Sequence, residues 1–204
     1  MKVGFVSLGC SKNLIDTEIA IGILKEHGME IVNNPEDAEM IIVNTCGFID
    51  PAKEEAINTI LEMAEYKKKK CKYLVAMGCL VQRYTDELKK ALPEVDLWIR
   101  LDKYDKFYTA IEELINNKVE DNKKYGEIKT YPKEPLPLAS KEEFLGREIS
   151  TGNNFAYLKI GEGCSNRCTY CAIPFIRGPF ISRPEEDIIE EAKILAKKGI
   201  KELI

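Results

Sequence analysis

Short apolar runs alternate along the chain with stretches in which apolar residues recur at helical spacing. Five runs rich in Val, Ile and Leu predict buried parallel strands, namely Val3 to Leu8, Met29 to Val32, Met40 to Asn44, Tyr73 to Met77 and Val95 to Ile99. The helical stretches between and after them cover residues 14–24, 56–64, 84–92 and 103–116. Because strands that alternate with helices require right-handed crossovers, this pattern predicts an α/β fold with a doubly wound parallel sheet of flavodoxin-like order.

The periodic pattern ends near residue 117 and resumes only after a charged, proline-containing stretch. We therefore expect a first domain over residues 1–117, a linker over 118–152 and a second domain from 153 to 204. In the second domain, Phe155 to Ile160 predicts a strand and Pro184 to Lys198 predicts a helix that ends before Gly199. Since one strand, one helix and the short run KELI cannot bury a sheet, this domain is expected to be truncated.

Composition and charge restrict the class of protein. Hydrophobic residues make up 45% of the chain, charged residues 31%, and the formal net charge is -4, so a folded core is expected and a concentrated basic surface for nucleic acid is not. No signal peptide and no membrane-spanning run is recognisable. These features predict a cytoplasmic protein without a membrane partner. Because thiols stay reduced there, seven cysteines indicate metal binding or catalysis.

Three distant cysteines each end a similar phrase, VSLGC, IVNTC and VAMGC, at the carboxyl end of a predicted strand. They are Cys10, Cys46 and Cys79, called the first triad below. The carboxyl ends of neighbouring parallel strands line one crevice, so the three thiols should converge. Helices expected to begin after them would favour thiolates. Thiolates hold iron-sulfur clusters, whereas zinc usually takes four protein ligands and no fourth is evident, so a cluster is favoured over zinc or simple burial.

A second group of cysteines, Cys164, Cys168 and Cys171, forms the pattern CxxxCxxC directly after a predicted strand. We call them the second triad. Three thiolates on one compact loop can hold three corners of a cubane cluster and leave the fourth iron open. A zinc site would need another ligand, and His27, the single histidine, lies in the first domain. Zinc and unrelated cysteines remain alternatives to the cluster.

Other residues invite chemical interpretations that the pattern does not favour. Cys71 interrupts a run of lysines and is expected to be a free surface or semi-buried thiol. His27 is expected near the carboxyl end of a helix, as a partner of the helix dipole, and Trp98 in the core. Arg177 and Arg183 are candidates for binding anions, although solvated or structural ion pairs are favoured.

The residues around both triads resemble one family. CxxxCxxC after the first strand of a barrel is the signature of radical S-adenosylmethionine enzymes. The segments SLGCSKNLIDTE, VNTCGFIDPAKEEAINTI, AMGCLVQRY and YLKIGEGCSNRCTYCAIPFIRGPFISRP together resemble the bacterial radical S-adenosylmethionine methylthiotransferases through nearly the whole chain. The resemblance implies that the second domain is the start of a partial β/α barrel of the radical S-adenosylmethionine type.

The resemblance also implies two 4Fe-4S clusters and S-adenosylmethionine as cofactors. The second triad would hold the cluster whose open iron binds S-adenosylmethionine, and its reductive cleavage would give a 5'-deoxyadenosyl radical. The first triad would hold an auxiliary cluster from which the methylthio group is delivered. Tyr170 is a candidate contact for the adenine ring, and packing on the loop is an equal alternative. An external electron donor is implied.

Within the family, the sequence is most similar to the branch that methylthiolates the β-carbon of an aspartate in the twelfth small-subunit ribosomal protein. The tRNA-modifying branch usually has Gln-Met-Asn after the first cysteine and Ala-Val/Ile-Arg after the second, whereas this chain has Ser11-Lys12-Asn13 and Gly47-Phe48-Ile49. A ribosomal protein substrate is therefore expected. A tRNA adenosine is the alternative substrate, and a passive iron-sulfur or zinc module is the non-enzymatic alternative.

Overall fold

The computed structural model describes residues 1–117 and 132–204. Its centre is a parallel sheet of five strands in the order β2-β1-β3-β4-β5, which is the predicted flavodoxin-like order. The strands are β1 (Lys2–Ser7), β2 (Glu30–Val32), β3 (Met40–Thr45), β4 (Tyr73–Gly78) and β5 (Leu97–Ile99). All five predicted strands are therefore confirmed, with small differences at their ends.

Helices cover both faces of this sheet and follow its strands in sequence. They are α1 (Ser11–Glu26), α2 (Asp50–Ala64), α3 (Cys79–Ala91) and α4 (Phe107–Ile115), the last preceded by a 3₁₀ segment over Leu101–Lys106. Successive residues of β3 point to opposite faces: Met40 and Ile42 join the core beneath α1 and α4, and Ile41 and Val43 join the core beneath α2 and α3. A fully buried central strand must be apolar on both faces, which is why β3 reads as a continuous apolar run.

The predicted linker is only partly irregular. Of its residues, 118–131 lie outside the described part of the chain, but Lys141–Gly146 forms a short helix, α5. Its start is a capping box, in which Ser140 and Glu143 each accept a hydrogen bond from the other's backbone N–H. Phe144 is buried in the core beside α1. One buried aromatic on two turns of helix leaves too little periodicity to be recognised in a sequence.

The second part of the chain contains short elements. They are β6 (Phe155–Ala156), β7 (Gly161–Glu162), α6 (Ile173–Arg177), β8 (Ile181–Ser182), α7 (Glu185–Lys197) and β9 (Glu202–Leu203). Strand β6 pairs in parallel with β9, and β7 pairs antiparallel with β8. The predicted strand from Phe155 to Ile160 is thus reduced to two residues, because its neighbour β9 offers only two residues for pairing. Within the described residues, no helix is long and apolar enough to span a membrane.

Two groups of buried charges join α1 to the later segments. In one, Arg147 contacts Glu18 at 2.5 Å and Glu191 at 2.8 Å, and Glu191 also contacts Arg183 at 2.6 Å. We call this first group the Arg147 quartet, and its four members are Glu18, Arg147, Arg183 and Glu191. It has two acids and two bases, so its formal charge is zero, and the second group has the same composition.

The other group lies nearer the first triad. Asp16 contacts Lys159 at 3.0 Å and Arg177 at 2.9 Å, and Glu162 contacts Arg177 at 2.9 Å and also Lys159. These four residues are called the Arg177 quartet. Burial by itself raises the pKa of Asp16, but Lys159 and Arg177 outweigh that effect and hold this pKa below its ordinary value. The carboxylates therefore remain charged, and each needs its cation.

We predict that Glu18→Gln lowers the free energy of unfolding by about 3–5 kcal/mol, because it leaves the buried Arg147 with one carboxylate instead of two. Glu148→Gln is the matched control. Glu148 pairs at 3.2 Å with Lys25, which lies on α1 like Glu18, and both side chains of this pair are nearly half exposed. That change should cost about 0–1 kcal/mol. Urea denaturation of both variants checks the difference, and equal losses would contradict it.

Candidate functional site

The first triad lies at the carboxyl edge of the parallel sheet, as predicted. Cys46 directly follows β3 and Cys79 directly follows β4, and the pairing of Thr45 with Gly78 places these two cysteines side by side. Cys10 follows β1 by three residues and is the residue before α1. Strands β1, β3 and β4 are direct neighbours, so the three cysteines come from adjacent strand ends.

Close packing of glycines shows how near the three turns lie. A methyl group added to Gly9 would come within 2.7 Å of Cys46 Cβ and 3.0 Å of its Sγ. A methyl group on Gly47 would come within 2.8 Å of Leu80 Cα, the residue after Cys79. Gly9 also has φ of +91°, which favours glycine. These contacts bring the Cys10 turn against Cys46 and the Cys46 turn against Cys79.

The thiols are neighbours but do not form a site for one small ion. Among residues 1–117 and 132–204, no group of three or more His, Cys, Asp and Glu side chains is arranged closely enough to hold a metal ion. Zinc at about 2.3 Å from each sulfur would require such an arrangement. Iron-sulfur clusters are held by cysteine thiolates, so three cysteines at one sheet edge are a suitable donor set for a cluster.

The expectation that helix starts would favour thiolates here is only partly met. Helix α2 begins at Asp50, four residues after Cys46, so this cysteine has no helix start beside it. Cys79 is the first residue of α3, but burial raises its pKa from 9.0 to about 11, against the opposing effect of Arg177. In the metal-free chain Cys79 is therefore a neutral thiol, because its desolvation outweighs the positive charge nearby.

The second triad occupies the loop between β7 and α6. Cys164, Cys168 and Cys171 are all partly exposed, and none is in a disulfide. The Cys164 N–H donates to Gly178 O at 3.0 Å, and the Cys171 N–H donates to Cys168 O at 3.0 Å. These bonds close the loop on itself and leave the thiols free at its surface, which suits a ligand bound on that side.

A small apolar cluster connects the first triad to the helix that follows the second triad. Helix α6, which starts two residues after Cys171, places Ile176 against Cys79, Leu101 and Leu136. The second-triad loop therefore continues directly into the helix that packs on the first triad. Neither cysteine pattern shows this contact, because it depends on how the two parts of the chain pack together.

Two families match the two parts of the chain. Residues 2–100 match the family described as "Uncharacterized protein family UPF0004", and residues 158–204 match the "Radical SAM superfamily". Among curated proteins, the ribosomal protein uS12 methylthiotransferase RimO of Alkaliphilus oremlandii is 56% identical over the whole chain, and that of Acetivibrio thermocellus is 54% identical. The protein of the same name from Clostridium tetani is 49% identical. Over its whole length the chain is similar to curated ribosomal protein uS12 methylthiotransferases.

The match covers all of this chain but less than half of the relatives. The chain spans 43% of the Alkaliphilus protein and 44% of the Acetivibrio protein. A solved structure of TsrM, a radical S-adenosylmethionine methyltransferase from Kitasatospora setae, superposes with a TM-score of 0.60 over 99% of this chain and 46% of that chain. At 12% identity, this likeness supports the fold alone.

The structure also shows where the other candidate residues lie. Tyr170, beside Cys171, has 87% of its surface exposed and is not packed on the loop. Arg177 and Arg183 are buried members of the two quartets, so their interpretation as ion-pair partners is confirmed and the solvated alternative is wrong. The pattern could not show their burial, because the acids that pair with them are distant in sequence.

Residues discounted from the sequence lie away from the site. His27 follows α1, where its Nδ1 lies 2.8 Å from Ile23 O and its ring stacks on Tyr108. Trp98 is in the core beneath α2 and α3. Cys71 is also in that core, so the expectation of a surface or semi-buried thiol is wrong. The turn before β4 places its Sγ 3.2 Å from Tyr73 O, at the opposite end of the strand from Cys79.

Asn13 is a site residue that the cysteine pattern does not identify. Its amide nitrogen donates to Leu8 O at 3.1 Å and to Thr45 O at 2.9 Å, so it joins the ends of β1 and β3. Its Oδ1 accepts from the Cys79 thiol at 3.3 Å. The sequence signal for Asn13 is its place in the segment SLGCSKN, which is part of the family resemblance but assigns no role to this residue.

We predict that iodoacetamide alkylates Cys10 of the metal-free chain at pH 8 long before it alkylates Cys79. Cys10 is exposed, whereas the raised pKa of Cys79, about 11, lowers its thiolate fraction about a hundredfold relative to an ordinary thiol. The rate at which Cys79 is alkylated should rise about tenfold per pH unit until the pH reaches the pKa of this thiol. Peptide mass spectrometry after timed quenching measures both rates. Unfolding in urea should equalise them, and equal rates in the native chain would contradict the prediction.

Proposed function

We propose that this chain is the N-terminal part of an enzyme that installs a methylthio group on the β-carbon of an aspartate in ribosomal protein uS12. The observation that carries the proposal is the packing of α6, the helix that follows the second triad, against Cys79 of the first triad. An enzyme that joins two substrates through two centres needs those centres to face one another. The radical SAM match and the names of the similar curated proteins support the reaction and the substrate.

Each triad is proposed to hold one 4Fe-4S cluster. Cys164, Cys168 and Cys171 would hold the cluster that binds S-adenosylmethionine, and Cys10, Cys46 and Cys79 would hold the auxiliary cluster. When bound, these groups supply radical cleavage of S-adenosylmethionine and a carrier for the transferred sulfur. Domain boundaries at 1–117, 118–152 and 153–204 are part of the same proposal.

The side chains around the triads would bind and orient the reactants. Tyr170 presents an exposed ring next to a second-triad ligand, where it is available to stack on the adenine of S-adenosylmethionine. Phe48 and Ile49 follow Cys46 and expose 44% and 53% of their surfaces. Apolar side chains at this position suit a protein substrate better than a phosphate backbone.

A tRNA adenosine is the less favoured substrate. Lys12 lies beside Cys10, but its ammonium group donates to Gly161 O at 3.3 Å and lies 3.8 Å from Glu162. The cation beside the first triad is therefore engaged within the chain. With a net charge of -4, the chain also lacks the basic surface that RNA backbone contacts require. An external electron donor and a cytoplasmic location complete the proposal.

We predict that anaerobic reconstitution of the complete protein with iron and sulfide loads roughly eight irons per chain, four at each triad. Cys46→Ala should reduce this to roughly four, and Cys168→Ala should do the same through the other triad. Cys71→Ala is the matched control, because Cys71 is equally buried in the same domain but lies at the far end of β4. It should leave the iron content unchanged. Iron and sulfide analysis with electron paramagnetic resonance measures the loading.

Other metal contents would support the passive-module alternative. Retention of roughly eight irons in Cys46→Ala, or stoichiometric zinc without sulfide, would contradict the assignment of the first triad. A cluster that yields no 5'-deoxyadenosine from S-adenosylmethionine in the complete enzyme, under reducing conditions, would contradict the radical chemistry while leaving the clusters in place.

The substrate is tested in cells that lack the gene for the complete protein. We predict that ribosomal protein uS12 loses the mass of one methylthio group, because its aspartate is no longer modified, while nucleosides from digested tRNA are unchanged. Mass spectrometry of both pools provides the measurement. Complementation with the intact gene should restore the uS12 mass, and complementation with Cys168→Ala should not. Loss of a methylthio adenosine from tRNA would instead support the alternative substrate.

A further inference from the structure

Arg177 follows Ile176 and gives the second-triad segment a polar connection to the first triad. It is the last residue of α6, six residues after Cys171, and only 1% of it is exposed. Its guanidinium group donates to Asp16 at 2.9 Å, to Glu162 at 2.9 Å and to Asn13 Oδ1 at 2.7 Å. The first partner is on α1, and the second lies two residues before Cys164. Arg177 therefore joins both parts of the chain from inside their interface.

Asn13 connects Arg177 to the strand ends that carry the cysteines. The oxygen that accepts from Arg177 also accepts from the Cys79 thiol, while the amide nitrogen is bonded to Leu8 O and Thr45 O. One side chain thus contacts the turn before Cys10, the residue before Cys46 and Cys79 itself. Arg177 is hydrogen-bonded to the centre of this arrangement, so its position and that of the first triad are coupled.

The charge of Arg177 acts on Cys79 inside the protein, where its ion-pair partner Asp16 opposes it only in part. Both residues are buried, with 1% and 6% exposure, and an electrostatic interaction across dry protein is stronger than one at the surface. The other cation of the quartet, Lys159, bonds to the two carboxylates and makes no contact with a cysteine. Arg177 is therefore the member of the quartet that faces a cluster ligand.

We propose that Arg177 is a positioning residue that holds the Cys79 turn in place and sets the charge around the auxiliary cluster. The proposal rests on the proposed function, because it concerns the cluster assigned to the first triad. The charge and hydrogen bonds around a cluster contribute to its reduction potential. A buried cation stabilises the more negative, reduced state. Removal of Arg177 should therefore make the auxiliary cluster harder to reduce.

The test uses three single substitutions in the reconstituted chain. Arg177→Gln removes the charge, and Arg177→Lys retains it. Arg183→Gln removes a comparably buried charge from the Arg147 quartet, because Arg183 donates to Glu191 and to Lys159 O. Each is combined with Cys168→Ala, so that the remaining cluster is the one at the first triad. A redox titration followed by electron paramagnetic resonance gives its midpoint potential, and the chain with intact cysteines is titrated alongside.

We expect a lower midpoint potential in Arg177→Gln, a value near that of the parent in Arg177→Lys, and no shift in Arg183→Gln. A purely structural role for Arg177 predicts instead that all three variants keep the parent potential and differ only in stability. Equal potentials in Arg177→Gln and Arg183→Gln would overturn the proposal. Absence of any first-triad cluster in the parent chain is a different result, which overturns the proposed function.

A second variant covers the case in which Arg177→Gln does not fold. The double substitution Glu162→Gln/Arg177→Gln removes one acid and one base, so the buried quartet keeps a balanced pair of Asp16 and Lys159. It is compared with Glu162→Gln alone. A lower potential in the double variant than in Glu162→Gln supports the role of Arg177, and equal potentials in the two overturn it.

Discussion

Eight buried charges at the interface between α1 and the later segments determine where the two triads lie relative to each other. A buried ion pair contributes little net stability compared with apolar packing, but leaving one of its members unpaired costs about 3–5 kcal/mol. Sliding α1 against the segments that carry Lys159, Arg177 and Arg183 would unpair several charges at once. The pairing therefore favours one relative position of the two parts over all near alternatives.

The parallel sheet supplies the other constraint. Its fully buried strand β3 is apolar on both faces, and its neighbours β1 and β4 end at the same edge, so the turns after them must meet. This part of the structure was predictable, because apolar periodicity and the alternation of strands and helices are local properties of a sequence. The convergence of Cys10, Cys46 and Cys79 followed from the strand order alone. Their final arrangement depends on glycines at which no side chain fits, such as Gly47.

The interface itself was not predictable from the same patterns. Asp16 and Glu18 are charged residues on α1, and a sequence pattern assigns such residues to the solvent-exposed face of a helix. They are buried because Lys159, Arg177 and Arg147 approach from more than a hundred residues away. Helix α5 was missed for a related reason, since its position depends on Phe144 packing beside α1 and on a capping box, not on periodicity.

The buried thiol of Cys79 connects these constraints to the chemistry. Burial makes the thiolate costly in the metal-free chain, and so the pKa is raised, but a metal that binds sulfur displaces the proton and shares the charge. Asn13 accepts from the Cys79 thiol and from Arg177, so both side chains lie near the place where negative charge on the Cys79 sulfur would form. The acids that keep Arg177 in place belong to both parts of the chain. An isolated first domain would retain the three cysteines but lose Arg177, Lys159 and Glu162, which are three of the four members of the quartet. The second-triad segment thus contributes to the first site through its own buried side chains, in addition to whatever its cysteines bind.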